Sequence, residues 1–404
     1  MWYLVGIHPA LRTAQPQPPY ATQQSGSRVQ RMYHIDTLRT FLTGLVIYHH
    51  AAIIYGAEGQ WPYVEAVKKH PGLTIFCATD QTWFMAAFFM VSGLLAAGSL
   101  SRTISSAERT GKRRSTAIWQ FLKGRVLRLG VPAVISTMLS EPATHVIAGR
   151  MPMTWEAYLT YVVGLRGAKG PAWWLATALF FDTLQSAYTA LDLRPVYISQ
   201  YTPPLVYASL PVVAWAWSSF FPFGTYIQPM RIHSPSLPQY VLAYFTGVWL
   251  QSNPQLITSR MLSNQARWRN SPLPALGLWL AYGGILFSLP VARAVMRDPP
   301  RFSLAEISNR CFSASGPSSA LGHSRILWTG DHRYDERNKQ RVLPRLAFGA
   351  YLTHPVLLCA IAVQLRQVNL GPVTKTLVVG TLSTVASFLA SAALVRIPVI
   401  RDFV

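Results

Sequence analysis

The sequence predicts an all-α membrane protein, a polytopic bundle of about nine to ten transmembrane helices, and three observations lead to it. Half of the 404 residues are hydrophobic and 13% are charged, against about a quarter charged in ordinary soluble domains. The apolar residues gather into long runs instead of spreading evenly. Basic residues crowd particular links between those runs, which is how a chain that crosses a bilayer repeatedly sets its orientation.

In order along the chain, apolar runs cover residues 40–55, 83–100, 129–139, 173–191, 204–221, 237–250, 273–291, 346–365 and 373–394. Several reach the roughly 20 residues that a helix needs to cross a hydrocarbon core, and the others come close enough to span with polar flanks. Residues 1–30 contain QPQPPYATQQSGS and read as a disordered tail, because Pro, Gln and Ser bury too little apolar surface to offset the entropy of ordering. The opening MWYLVGI lacks a basic flank and is too short for a signal peptide, so the first span itself is expected to direct insertion. Residues 31–396 then form one transmembrane domain, and no internal repeat is visible.

A formal net charge of +21 raises nucleic acid as a partner, but the distribution of the charge points to topology instead. Arg102, Arg109, Lys112, Arg113, Arg114, Lys123, Arg125 and Arg128 crowd the link between the second and third spans, while the preceding link carries only Lys68 and Lys69. By the positive-inside rule the crowded link is cytoplasmic, and so is the N-terminus. Arg260, Arg267 and Arg269, after the sixth span, fall on the same side. Segment 301–345 breaks the pattern: it carries Arg310, Arg325, Arg333, Arg337 and Lys339 where a nine-span count places it outside. One extra crossing would return residues 331–345 to the cytoplasm. Yet CFSASGPSSALGHSRILW, residues 311–328, is polar and broken by Gly and Pro. A degenerate helix, a loop where the rule fails locally and a faulty exon boundary all fit.

Cys77, Cys311 and Cys359 are scattered without metal-ligand spacing, so neither a zinc site nor a disulfide framework is expected. The chemistry gathers elsewhere, in HIDTLRTFLTGLVIYHH at residues 34–50. Ionisable groups inside a membrane are costly and by default functional. Arg39 and His50 are eleven residues apart, about three turns, so they share a helix face about 16 Å apart, and His49 points about 100° away. Asp36, one turn before Arg39, can pair with it. Asp182, inside the fourth run, needs a buried partner. Ser92 and Gly93 read as close-packing residues, and no G-x-S-x-G elbow marks a serine nucleophile.

An arginine, ten intervening residues and a histidine on the first helix resemble the signature of the membrane-bound acyltransferase 3 family. WFMAAFFMVSGLL (residues 83–95), GRVLRLGVP (124–132), GPAWWLATALFF (170–181) and FGAYLTHP (348–355) resemble further motifs of that family in the same order. The W-F-M-x-x-F-F run is most similar to the glucan-modifying and fungal branch. Segment 301–345 departs from the family, which places another apolar helix there.

The resemblance implies a membrane-embedded acyltransferase that moves an acyl group, often acetyl, from coenzyme A to a hydroxyl of a carbohydrate or other small acceptor. Acyl-CoA is then a co-substrate, with no permanently bound cofactor. In these terms His50 is the base, since imidazole titrates near neutrality. Arg39 guides the donor and His49 orients the base. Arg125 and Arg128 share a face and hold the donor phosphates. Asp36, Asp80, His354 and Trp174 complete the substrate site. Blander roles stand beside these. Arg125 and Arg128 can be topology signals, Arg39 a snorkelling flank, Trp173 and Trp174 part of an interfacial aromatic belt, and His354 a cap before Pro355. A secondary transporter would also use intramembrane His, Asp and Arg.

Overall fold

The computed structural model describes residues 33–81, 83–192, 225–253 and 342–398, with positions 213, 216–217 and 219–221 between them. The N-terminal tail, most of the run 204–221, the run 273–291, Arg260, Arg267, Arg269, Cys311 and residues 301–341 of the basic segment lie outside the described residues.

The first apolar run becomes α1 (Tyr33–Ile54), where Thr40 and Thr43 donate their hydroxyls back to the carbonyls of Asp36 and Arg39. This local bonding satisfies hydroxyls that an apolar environment would otherwise strand. The second run extends nine residues beyond its predicted C-terminal end as α3 (Phe84–Arg109) and is preceded by an unpredicted helix, α2 (Pro71–Gln81). Residues 114–147 form one long helical stretch: α4 (Arg114–Arg125), α5 (Val131–Ile135) and α6 (Glu141–Ile147), joined by π-turns at Val126–Gly130 and Ser136–Ser140. A short α7 (Trp155–Val163), missed by hydropathy, is capped by the Thr154 hydroxyl, which accepts from Ala157 N–H. Then follow α8 (Ala172–Ala190), a two-stranded antiparallel pair of β1 (Tyr226–Ile227) and β2 (Ile232–His233), α9 (Leu237–Ser252), α10 (Leu343–Gln364) and α11 (Pro372–Leu394).

Among the described residues, three helical stretches are long and apolar enough to cross a membrane: Pro71–Arg109, Leu343–Gln364 and Pro372–Leu394. The surface of α11 is inverted relative to a water-soluble helix. Ser383, Ser387 and Ser391 are fully buried at helical spacing, while Leu377 and Leu389 are 54% and 66% exposed. Small residues inward and large apolar residues outward is the arrangement that packs helices in lipid.

The same logic brings α3 and α9 together. A Cβ on Gly93 would stand 2.1 Å from the Tyr244 carbonyl oxygen, and one on Gly247 would stand 1.9 Å from that of Met90. Only glycine permits this approach. The predicted close-packing role of Gly93 is therefore observed.

Side-chain contacts fix the direction of the helices. Thr43 Oγ1 donates to the Ala347 carbonyl at 3.4 Å, and His50 meets His354 seven residues further along both helices, so α1 and α10 run parallel. Arg114 bonds Asp192 at 2.9 Å, which ties the start of α4 to the end of α8. The N-terminal end of α1, the basic α3–α4 link and the start of α10 thus share one end of the bundle. The loop at residues 55–70, the end of α6 and the β-pair share the other. Asn253 and Val342 both lie at the basic end.

Candidate active site

At the non-basic end a cavity of about 760 Å³ opens between α1, α2, the end of α6 and the β-pair. His50 lines it one turn before α1 ends, level with the middle of α10.

The bonding around His50 starts from a proline. In a helix the N–H of residue i bonds the carbonyl of residue i−4, and proline has no N–H to give. Pro355 lies inside α10, so the carbonyl of Tyr351 lacks its helical donor. His354 Nδ1 supplies one at 2.6 Å. A carbonyl only accepts, so the proton sits on Nδ1 of His354 and its Nε2 is left as an acceptor. Nε2 lies 3.0 Å from His50 Nδ1, and the ring centroids are 5.2 Å apart with an interplanar angle of 4°. The two rings are therefore coplanar and joined edge to edge. His50 Nδ1–H must donate, which leaves the electron pair of the His50 ring on Nε2. Trp61, from the 55–70 loop, stacks on His50 with centroids 4.1 Å apart.

The other predicted residues fall into separate groups. His49 is buried against the Phe84 ring at 5.1 Å and lies 3.7 Å from Asp80, too far for a hydrogen bond. Asp80 thus faces His49 and not His50. Arg39 lies 3.8 Å from Asp36, the pairing their spacing predicts. Neither Arg39 nor Asp36 lines the cavity, so the shared helix face of Arg39 and His50 does not make a shared chamber among the described residues. Arg125 Nε donates to Asp182 at 2.5 Å, and Asp182 also accepts from the Tyr244 hydroxyl at 2.6 Å. The buried carboxylate expected to need a partner has two. Because Asp182 stands near the middle of α8, Arg125 sits within the bundle and not at its end, and Arg128 is exposed. Trp174 packs against Phe88 and Tyr351, while its neighbour Trp173 lines the cavity. Among the described residues no group of His, Cys, Asp or Glu could hold a metal ion.

Sequence reasoning passed over Trp61, whose only signal is its place in a loop bounded by Gly59 and Pro62. It also passed over the charged wall formed by Glu141, Lys169 and Arg231, residues distant in sequence that meet at the cavity.

A coplanar histidine pair thus stands beside a cavity inside an apolar helix bundle. The profile of the acyltransferase 3 family, described as an acyltransferase domain, matches residues 32–396. The chain belongs to that family and is an integral membrane acyltransferase. Searches of curated proteins and of solved structures give no significant match.

Proposed function

We propose that the protein transfers an acyl group, acetyl in the simplest case, from coenzyme A to a hydroxyl of a carbohydrate or small-molecule acceptor. The observation that carries this reading is the Tyr351–His354–His50 chain, which supports His50 Nε2 as the base. The acceptor hydroxyl gives its proton to Nε2 as its oxygen attacks the thioester carbonyl. The C–S bond then breaks, and the departing thiolate takes the proton back from His50. His354 holds the His50 ring in the reactive tautomer, as a hydrogen bond at the other ring nitrogen does.

The donor approaches from the basic end, which the positive-inside rule assigns to the cytoplasm together with the N-terminus. Arg39 and Arg128 receive its phosphates, since guanidinium matches phosphate with paired donors. Arg125, held by Asp182 through Nε, offers its remaining N–H groups to the same task. The acceptor enters through the 760 Å³ cavity. The resemblance of the second span to the glucan-modifying and fungal branch supports a carbohydrate or secondary metabolite there. Purified protein incubated with labelled acetyl-CoA and acceptor extracts should yield a labelled product by mass spectrometry. Solute uptake into vesicles without any need for coenzyme A would replace this reading with transport.

A further inference from the structure

The cavity wall opposite α1 carries charges that the transfer chemistry does not use. Lys169 stands in the loop between α7 and α8, and Arg231 in the turn that ends at β2. Two contacts lock these segments together. Ala168 N–H donates to the Pro229 carbonyl at 2.9 Å, and a Cβ on Gly167, at φ +148°, would stand 2.2 Å from the same oxygen. Both cations are thereby fixed on one wall of the chamber that holds His50. Arg231 adopts φ +57°, a region that non-glycine residues rarely occupy. Its guanidinium lies 5.4 Å from the centroid of the Tyr226 ring, another lining residue.

Among the described residues neither Lys169 nor Arg231 forms an ion pair. Glu141 lines the same wall and offsets part of the charge, but its carboxylate is 3.5 Å from His145. Burial and the neighbouring Arg231 push the Lys169 ammonium below its ordinary range, with Glu141 acting the other way. Two half-buried cations held together are unfavourable until an anion joins them.

We propose that Lys169 and Arg231 form an anion subsite for the acceptor, so that the molecule acylated carries a carboxylate or phosphate beside its reactive hydroxyl, as uronic acids and sugar phosphates do. This rests on the reading of the cavity as the acceptor site. Trp173, Tyr226 and Tyr240 line the space and suit the faces of a sugar ring. The phosphates of coenzyme A are the other source of such an anion, but the donor is assigned to the opposite end of the bundle.

The test is a binding measurement without acyl donor, so it stands or falls independently of turnover. Trp61 and Trp173 line the cavity and report through intrinsic fluorescence of the purified full chain in detergent. The probes are methyl glucuronoside, glucose 6-phosphate, methyl glucoside and, for the nucleotide end of the donor, adenosine 3′,5′-bisphosphate. At least one charged sugar should bind at least about tenfold more tightly than the glucoside, the scale of a hydrogen bond to a charged group. Lys169→Gln with Arg231→Gln should abolish that preference. Added salt should weaken the charged sugar and leave the glucoside unchanged, a reading on the unmodified protein that needs no variant to fold. The proposal is overturned if no charged-over-neutral preference exists, if the preference is insensitive to salt, or if it survives the double substitution. Loss of adenosine bisphosphate binding in the double variant would assign the cations to the donor and overturn it equally.

Discussion

The carbonyl oxygen of Tyr351 lies one turn before Pro355, which has no N–H to offer it, and the side chain of His354 bonds it at 2.6 Å. A helix defect is thus converted into the device that sets the tautomer of a buried histidine. Pro355→Ala restores the backbone donor and puts it in competition with His354. The expected outcome is a thermal midpoint at or above that of the parent, with acyl transfer slowed about tenfold, a fraction of a full acid–base contribution. An unchanged rate would mean that the tautomer is not set by this bond.

His50→Ala removes the proposed base and leaves the helix packing in place. Acyl transfer should fall by at least about 100-fold, with expression and membrane insertion retained. Product formation from labelled acetyl-CoA measures it, and retention of more than half the activity rejects His50 in this role.

Arg125 and Arg128, three residues apart, should separate. Arg128→Ala is expected to raise the KM for acyl-CoA with little change in kcat or stability, because it removes a ground-state contact. Arg125→Ala also leaves the buried carboxylate of Asp182, whose side chain is 0% exposed, bonded to the Tyr244 hydroxyl but without the Arg125 charge. Breaking one partner of a buried pair costs about 3–5 kcal/mol, so its thermal midpoint should drop as well. Equal stability of the two variants would contradict the Arg125–Asp182 pairing.

Gly247→Leu should prevent assembly of the α3–α9 interface, since any Cβ there meets the Met90 carbonyl. Loss of the monodisperse peak in size-exclusion chromatography, against normal behaviour of Gly44→Leu, where nothing stands within 4 Å of a Cβ, checks the packing.

Topology follows from the parallel course of α1 and α10. In a chain whose three cysteines are replaced, single cysteines at Thr110 and Val342 should react with an impermeant thiol reagent from one side of sealed vesicles, and one at Asn369 from the other. Labelling of positions 110 and 342 from opposite sides would reject the orientation of the final hairpin.

Hydropathy alone located helices at 173–191, 237–250, 346–365 and 373–394 to within a few residues, because lipid requires each crossing segment to be continuously apolar. It missed α2 and α7, which are short or mixed in composition, and it understated the stretch 114–147, whose basic first turns carry no apolar signal. The ionisable residues of α1 were legible for the same reason that they are costly. Which of them meet was not. Spacing paired Asp36 with Arg39 correctly, because four residues on one helix determine that distance. Whether His50 would share its chamber with Arg39 or bond His354, which residue would satisfy Asp182, and that Lys169 and Arg231 would face the same cavity were decided by helix packing. Contacts across 304, 57 and 62 residues of chain depend on how glycine and serine faces let the helices approach, and no local period records that.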